Sequence, residues 1–327
     1  MPRFVIFGAG AIGGVIGGRL FEAGHDVVLI ARGEHGRVLH DQGLELVSAD
    51  GSVRLPIPTV GQVGDVGLQP DDVVILAMKS QDTIGAVTAL AETAPPEIFV
   101  VCAQNGVNNE RVVLRSFPRV YAMTVMCPAT HLEAGRVQAS STPISGLLDL
   151  GCYPNGADAT AEEIAAALET ATFKSEARPD IMRWKYRKLL MNLANAATAL
   201  CGPTEGLGPL LRILRDEGEA VLEAAGIDVA SRDEDRQRRG DLLTMRPIDG
   251  SDRGGGSSWQ SLARGLGTIE AGYLNGEIVL LARLHDVAAP ANELLQRLAN
   301  EAATARRPPG HLKPDDLLAQ LPPRQEL

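Results

Sequence analysis

The first residues of the chain pass from an apolar run into a segment with apolar residues every three or four positions. Phe4–Phe7 is β-branched and aromatic, which is typical of a buried strand. A glycine-rich turn follows, and Ile12, Val15 and Leu20 then recur at helical spacing. The pattern therefore predicts a strand, a tight turn and a helix.

The turn has the spacing G-x-G-x-x-G. Between a strand and a helix, this spacing places a dinucleotide pyrophosphate on the helix N-terminus, where free N–H groups and the helix dipole favour an anion. A structural turn without a ligand is the alternative. We predict that the cofactor contacts Gly8, Ala9, Gly10, Ala11, Ile12 and Gly13.

The second predicted strand, Asp26–Ile30, ends without the carboxylate that usually binds the ribose of NAD. Arg32 follows it instead, and its rigid, permanently charged guanidinium suits a 2′-phosphate. We therefore expect NADP(H) rather than NAD(H). NAD(H) stays open as the alternative. Arg32 could be a solvated surface charge, and the carboxylate of Glu34 lies close by in the sequence.

Polar residues follow two continuous apolar runs, Val73–Ala77 and Ile98–Cys102. Such runs are typical of strands that are buried on both faces. In open parallel sheets, ligands bind just beyond the carboxyl ends of the strands. Lys79, Gln104 and Asn105 are therefore expected beside the cofactor.

The alternation of strands and helices continues to about Glu176, and the rest of the chain has nearly all-helical spacing. The pattern predicts strands near residues 120–125, 135–139, 144–150 and 173–176, and a helix over 159–170. The fold class is thus α/β: a Rossmann-type dinucleotide-binding domain over residues 1–176, then an all-helical domain over residues 177–327.

Three polar residues form a stripe on a predicted apolar helix. Lys188, Asn192 and Asn195 stand at i, i+4 and i+7, so they share one helix face. A buried lysine has a lowered pKa and can act as a general acid. The alternative is that Lys188 extends to solvent while the asparagines brace neighbouring helices.

A last long helix is predicted after the glycine run at residues 254–256. Ser257 and Ser258 are good N-cap residues, and apolar residues from Leu262 to Leu284 follow at helical spacing. Glu270 falls within this run, where the pattern alone predicts a solvated charge.

Composition restricts the class of protein. The 327 residues suffice for two domains, and the net charge of −10 opposes nucleic-acid binding. The four cysteines and six histidines show no metal-ligand spacing. No apolar run reaches the roughly 18 residues of a membrane span. A cytoplasmic protein with no nucleic-acid, membrane or metal partner is expected.

These features together resemble the ketopantoate reductase (2-dehydropantoate 2-reductase) family from Met1 to about Leu298. The glycine-rich turn and Lys79 carry part of the resemblance. The remaining matching segments are Gln104–Gly106, Trp184–Asn195, Ser257–Gln260 and Glu270 with Tyr273–Gly276.

The resemblance implies NADPH-dependent reduction of a small anionic 2-keto acid to a 2-hydroxy acid, first of all ketopantoate to pantoate in pantothenate and coenzyme A biosynthesis. It implies a helical C-terminal domain that binds substrate and a cleft between the two domains. The sequence does not set the oligomeric state, and a homodimer is plausible. Lys188 would be the general acid, and Glu270 would hold Lys188 and the substrate hydroxyl. The implied substrate contacts are Asn105, Asn192, Ser258 and, by an approximate match, Asn195; Arg32 and Lys79 would contact the adenosine phosphate end of the cofactor.

Several positions depart from the family pattern. Lys185 is a second lysine that could compete with Lys188, and the aspartate usual after the serine motif is missing near Leu262. Two alternatives therefore stay open. One is a related dehydrogenase of the 2-keto acid, β-hydroxyacid or glycerol-phosphate kind. The other is a non-catalytic NADP(H)-binding paralogue that acts as a sensor or scaffold.

Overall fold

The computed structural model describes residues 2–202, 205–248 and 255–322. The chain forms two compact units, the first from Met1–Lys185 with Ser231–Arg253 and the second from Tyr186–Ala230 with Gly254–Leu327. These units are not identical to the two predicted domains, whose boundary and roles stay predictions.

The first unit contains the strands and six of the α-helices of the described residues, numbered here in chain order. The strands are β1 (Phe4–Phe7), β2 (Val27–Ile30), β3 (Leu44–Ser48), β4 (Gly51–Leu55), β5 (Thr59–Val60), β6 (Val73–Leu76), β7 (Phe99–Cys102), β8 (Arg119–Met123), β9 (Ala129–Thr130), β10 (Arg136–Ala139), β11 (Ser141–Pro143), β12 (Gly146–Leu147), β13 (Leu150–Cys152), β14 (Phe173–Lys174) and β15 (Leu243–Met245). The helices are α1 (Ala11–Glu22), α2 (Gly33–Gln42), α3 (Thr83–Ala91), α4 (Asn109–Leu114), α5 (Ala159–Thr170) and α9 (Arg232–Arg239).

The main sheet has seven strands in the order β13-β8-β7-β6-β1-β2-β5, and all neighbours are parallel except β13 and β8. The six parallel strands follow the doubly wound order of dinucleotide-binding folds. The order reverses between β1 and β6, and the glycine-rich turn and Lys79 follow these two strands. The predicted α/β fold class is confirmed.

Helix α1 packs between this sheet and a second one, which has the order β4-β3-β10-β9. A Cβ at Gly14 would lie 2.7 Å from a methyl carbon of Val137 in the second sheet. A Cβ at Gly17 would lie 2.7 Å from a methyl carbon of Leu29 in the main sheet. The glycines of α1 therefore allow both sheets to approach the helix closely, which fixes the direction in which its N-terminus points.

The second unit is helical. Its helices are α6 (Ile181–Asn192), which begins in the first unit, α7 (Ala194–Cys201), α8 (Gly208–Ala224), α10 (Ser257–Ala263), α11 (Asn275–Leu284), α12 (Pro290–Thr304) and α13 (Pro314–Leu318). Among the described residues, no helix combines the length and apolar character that crossing a membrane requires.

The structure corrects two predicted helices. The helix that carries Lys188 does not continue through Asn195, because α6 ends at Asn192 and α7 begins at Ala194. The long helix predicted from Ser257 is divided into α10, a 3₁₀ turn (Glu270–Gly272) and α11. Gly265 and Gly267 adopt φ of +59° and +76°, so the backbone leaves the helical conformation between α10 and the turn.

Two strand predictions also change. The predicted strand over residues 144–150 consists of two short strands, β12 and β13. Strand β15 lies in the half of the chain predicted to be helical, and it pairs with β11 of the first unit. The apolar pattern missed β15 because most of its residues are exposed.

Candidate active site

The glycine-rich turn has two glycines that the fold requires and one that it does not. Gly8 adopts a φ of +101°, and a Cβ there would lie 2.9 Å from the Met78 nitrogen. A Cβ at Gly13 would lie 2.1 Å from the Gly8 carbonyl oxygen. At Gly10, by contrast, the nearest atom is His131 Nδ1 at 3.8 Å. A side chain would fit at Gly10, so the space there is available to a ligand.

The N-terminus of α1 has the character of an anion site. Gly10 is its N-cap and supplies no side-chain acceptor, and the first turn from Ala11 contains no acidic residue. The first N–H groups of a helix have no partner within the helix, and they attract negative charge. A pyrophosphate fits this end of α1.

Two histidines that the sequence did not single out support the turn. Gly135 N–H donates to His35 Nδ1 at 2.9 Å, so the proton is on Nε2, which donates to the Ala9 carbonyl at 2.8 Å. The ring of His35 contacts that of His131, with centroids 4.1 Å apart and the ring planes tilted by 40°. No local sequence pattern predicts this pair, because the contacts join segments that are distant along the chain.

A cavity of about 400 Å³ lies beyond the carboxyl ends of β2 and β5. Its cationic and titratable lining residues are Arg32, Arg37 and His40, of which the sequence pointed only to Arg32. Glu34, which had kept NAD(H) open, pairs with Arg37 through Oε1 and Nη2 at 2.6 Å. The hydrogen bond from Arg37 lowers the pKa of Glu34. The carboxylate near Arg32 thus has a cationic partner on its own helix, and both side chains of that pair are more than half exposed.

Hydrogen bonds join the polar segments that follow β6 and β7. Gln104 Nε2 donates to the Met78 carbonyl at 2.9 Å. Asn109 Nδ2 donates to Ser80 Oγ at 3.1 Å and to the Asn105 carbonyl at 3.0 Å. The structure therefore brings the segment around Lys79 next to Gln104 and Asn105, the pairing that the strand ends predicted.

Lys185, the competing lysine, is buried within the first unit with only 3% of its side chain exposed. Its Nζ donates to the Gln104 carbonyl at 3.0 Å and to Glu110 Oε1 at 2.5 Å. The Glu110 side chain is fully buried. Because this ammonium is held by two protein acceptors, Lys185 is poorly suited to protonate a substrate.

Lys188 and Asn192 lie one helical turn apart on α6, with Lys188 half-buried and Asn192 buried. Asn195 lies beyond the break, in the first turn of α7. Its Oδ1 is 3.6 Å from the position of a Cβ on Gly256, the residue before α10. The structure therefore places Asn195 beside the N-terminus of α10.

Ser258 is buried near the start of α10, and its hydroxyl makes no hydrogen bond within the described residues. The expected serine N-cap is wrong, because Gly256 is the N-cap and no side chain caps the helix. Buried hydroxyls nearly always have a partner. An unsatisfied one next to uncapped backbone N–H groups is suited to a ligand oxygen.

Glu270 is buried, with 4% of the residue exposed, and not solvated as the apolar pattern alone predicted. It begins the 3₁₀ turn, and its carbonyl accepts from the N–H groups of Tyr273 and Leu274. Asn275, two residues after Tyr273, holds the break after α6, since its Nδ2 donates to the Leu193 carbonyl at 3.2 Å.

No cluster of metal-binding side chains occurs among the residues that the structure describes. All four cysteines are free thiols, three of them buried and Cys152 half-buried.

The chain matches one protein family along most of its length. The family described as ketopantoate reductase PanE/ApbA matches residues 4–155, and the C-terminal part of the same family matches residues 180–303. A 2-dehydropantoate 2-reductase from Halobacterium salinarum is 30% identical over 316 residues, which are 93% of this chain and 99% of that protein. Its counterpart from Pyrococcus horikoshii is 29% identical over 306 residues, 90% of this chain and 96% of that protein.

Solved structures agree with this match. A PanE/ApbA family ketopantoate reductase from Ralstonia eutropha JMP134 has a TM-score of 0.77 and 26% identity, and the match covers 93% of this chain and 99% of that one. D-mandelate dehydrogenase in complex with NADH and anilino(oxo)acetate has a TM-score of 0.79 over 94% of this chain and 99% of that one. At 21% identity the latter shows a shared fold alone. The chain is thus an oxidoreductase, and it belongs to the ketopantoate reductase family.

Proposed function

We propose that this protein reduces 2-dehydropantoate to pantoate with NADPH, as part of pantothenate and coenzyme A synthesis in the cytoplasm. The observation that carries the proposal is the similarity, over nine-tenths of the chain, to proteins named 2-dehydropantoate 2-reductase. A related 2-keto acid remains an outcome of the test, because the usual aspartate is missing near Leu262.

The proposed cofactor site is built from the first unit. The uncapped N-terminus of α1 and the space at Gly10 support a dinucleotide pyrophosphate there. The cavity beside Arg32 supports a 2′-phosphate, and hence NADPH rather than NADH. The residues proposed to contact the cofactor are Gly8, Ala9, Gly10, Ala11, Ile12, Gly13, Arg32, Lys79, Gln104 and Asn105.

The proposed chemistry needs a proton donor at the substrate carbonyl. A bound nicotinamide supplies the hydride, and negative charge then grows on the carbonyl oxygen. Lys188 Nζ donates a proton to that oxygen, and the positive charge of its ammonium stabilises the transition state before the transfer is complete. Glu270 accepts a hydrogen bond from the Lys188 ammonium and from the product hydroxyl, which keeps the donor oriented.

The proposed substrate contacts fix the carbonyl relative to this donor. Asn105, Asn192 and Asn195 carry amide groups that hydrogen-bond the substrate, and Ser258 Oγ donates to its carboxylate. The unsatisfied, buried hydroxyl of Ser258 and the position of Asn195 beside Gly256 support a carboxylate at the start of α10. Holding the reacting groups in one geometry supplies a large part of the rate in such reactions.

The test is NADPH oxidation measured with a panel of 2-keto acids that includes ketopantoate, each paired with its methyl ester. We expect turnover of the acids and a strongly raised KM for the esters, since the ester has lost the charge that Ser258 and the helix N-terminus bind. Neutral ketones that are reduced as well as the acids would refute the carboxylate site. Tight NADPH binding with no turnover of any ketone would favour the non-catalytic paralogue.

The cofactor preference has its own measurement, the Kd of NADPH and of NADH for the wild type and for Arg32→Ala. We expect NADPH to bind more tightly than NADH, and the substitution to weaken NADPH binding selectively because only NADPH carries the 2′-phosphate. Equal affinity of the wild type for the two cofactors would contradict the assignment.

A further inference from the structure

The ion pair of Lys185 with Glu110 is a feature that the proposed chemistry does not use. Its two charged groups are 2.5 Å apart, with side chains 3% and 0% exposed. The same ammonium donates to the carbonyl of Gln104 at 3.0 Å. All three residues belong to the first unit, and Gln104 immediately precedes Asn105 in the proposed site.

Further hydrogen bonds hold the Gln104–Asn105 segment. The Gln104 side chain donates to Thr83 Oγ1 at 2.8 Å, and the Asn105 carbonyl accepts from Asn109 Nδ2 at 3.0 Å. The backbone of this segment is therefore held by side chains from α4 and, through Lys185, from α6, while Thr83 of α3 holds the Gln104 side chain.

A contribution to the stability of the fold does not by itself explain why a buried ion pair stands here. Removing two charges from water is costly, and replacing a buried ion pair with apolar residues of similar volume is often neutral or stabilising. The Gln104 carbonyl, however, needs a donor, and no apolar side chain can provide one. In addition, Glu110 Oε2 makes no hydrogen bond within the described residues, so this carboxylate mainly serves the ammonium.

We propose that Lys185 and Glu110 are positioning residues for the active site. Glu110 holds the Lys185 ammonium, Lys185 holds the Gln104 carbonyl, and the peptide that joins Gln104 to Asn105 is thereby fixed toward cofactor and substrate. The inference rests on the proposed function, because it assumes that Asn105 contacts both ligands.

The test compares three variants with the wild type: Lys185→Met, Glu110→Gln and the double variant Lys185→Met with Glu110→Leu. A matched control is the exposed pair of Lys174 with Glu169, whose groups lie 2.6 Å apart and whose side chains are 41% and 43% exposed. It receives the same substitutions, Lys174→Met with Glu169→Leu. The measurements are the Kd of NADPH by fluorescence, the kcat and KM for the keto acid, the pH profile of kcat, and the thermal unfolding midpoint.

We expect Lys185→Met to lower kcat/KM about a hundredfold, the effect of a displacement of roughly 1 Å in a catalytic site. The Kd of NADPH should rise about tenfold, which corresponds to one lost hydrogen bond to a charged group. The pH profile of kcat should keep its shape, because Lys188 is still present. The double variant should recover the unfolding midpoint but neither the Kd nor kcat/KM, while the control pair leaves all four measurements near wild type.

Recovery of affinity and kcat/KM together with stability in the double variant would overturn the proposal, since the pair would then be structural only. The double variant also provides the answer if the single variants do not fold. A wild type that binds NADPH but reduces no keto acid would refute the proposed function. In that case the positioning role is judged from the Kd of NADPH, and an unchanged Kd in the double variant refutes it.

Discussion

Gly10 and Gly13 lack a side chain for different physical reasons. The carbonyl oxygen of Gly8 lies 2.1 Å from where a Cβ on Gly13 would be, whereas the nearest atom to a Cβ on Gly10 is 3.8 Å away. The backbone of Gly10 has an ordinary φ of −71°. The fold itself therefore requires glycine at position 13, whereas it leaves room for a side chain at position 10.

Alanine substitutions should separate these two reasons. Gly13→Ala should lower the free energy of unfolding by about 1–3 kcal/mol through overpacking. Gly10→Ala should leave the stability near that of the wild type while it raises the Kd of NADPH at least about tenfold, an effect of roughly 1.4 kcal/mol. Chemical unfolding of the two variants measures the free energy of unfolding, and fluorescence titration measures the Kd of NADPH. Unchanged NADPH binding by Gly10→Ala would show that the phosphates do not approach there.

The role of a single residue was predictable from the sequence only where that role depends on residues next to it along the chain. The glycine turn is such a case, because strand, turn and helix are consecutive. Lys185 and Lys188 look alike in sequence, since both lie on one apolar helix. Lys185 differs through its acceptors Gln104 and Glu110, which lie 81 and 75 residues earlier in the chain. No local pattern can reveal partners at that separation.

Among the helices, the break between α6 and α7 changes where the amide groups lie. Asn275 is fully buried, and its Nδ2 donates to the Leu193 carbonyl at 3.2 Å and to Asn292 Oδ1 at 3.0 Å. The carbonyl at the break thus has a dedicated donor. This arrangement sets Asn195 on a new helix, although the sequence placed it on the same one as Lys188.

Replacing Asn275 with leucine should destabilise the protein by about 2 kcal/mol, because two buried acceptors lose their donor. The substitution should also raise the KM of the keto acid, because Asn195 would no longer be held beside α10. Asn300→Leu, at a position on α12, is the control. If Asn275→Leu unfolds at the same denaturant concentration as the wild type, the break is not held by this side chain.

Helix α9 begins with a capping box, in which the Ser231 side chain accepts from Glu234 N–H and the Glu234 side chain accepts from Ser231 N–H. The hydrogen bonds from Ser231 lower the pKa of Glu234 from its usual 4.5 to about 2. A carboxyl whose pKa is lowered on folding stabilises the protein fully above its unfolded pKa. This contribution disappears as the pH falls toward the folded value.

The free energy of unfolding should therefore differ most between wild type and Glu234→Ala at neutral pH. The difference should shrink as the pH falls from 4.5 toward about 2. Because 41% of the Glu234 side chain is exposed, solvent screens its charge and the pH-dependent part should be no more than about 1 kcal/mol. Urea unfolding at pH 7 and pH 3 measures it, with Glu163→Ala on the exposed face of α5 as control. A difference that stays constant with pH would contradict the capping role of the charge.

The order of helices and strands was predictable where periodicity is strong. The predicted strand Phe4–Phe7 and the predicted helix over residues 159–170 match β1 and α5 to the residue. The helix predicted from Ser257 failed because the apolar residues keep their spacing across α10, the 3₁₀ turn and α11, while glycines at positions 265 and 267 turn the backbone. Periodicity reports which residues are buried, and it does not report whether the helix is continuous.

For the molecule as a whole, the sequence predicted one α/β part and one helical part. It did not predict which segments of the chain belong to each unit. Residues 231–248 return to the first unit, where Arg238 donates to the buried carboxylate of Asp149 through Nε at 2.8 Å. Arg178 donates to the same carboxylate at 2.7 Å. The many charged residues of α9 indicate a solvated helix when only the sequence is considered. The ion pairs with Asp149 are therefore visible only in the structure.

The most direct experiment on the proposed chemistry is the rate of NADPH oxidation with ketopantoate by the wild type and by Lys188→Met, together with the Kd of NADPH for both. We predict that the wild type reduces ketopantoate and that Lys188→Met lowers kcat at least about a hundredfold, the usual effect of losing a general acid. The Kd of NADPH should remain close to that of the wild type, since the cofactor contacts are intact. Near-normal kcat in Lys188→Met would contradict the assignment of Lys188 as the proton donor, and a wild type without ketopantoate turnover would contradict the proposed substrate.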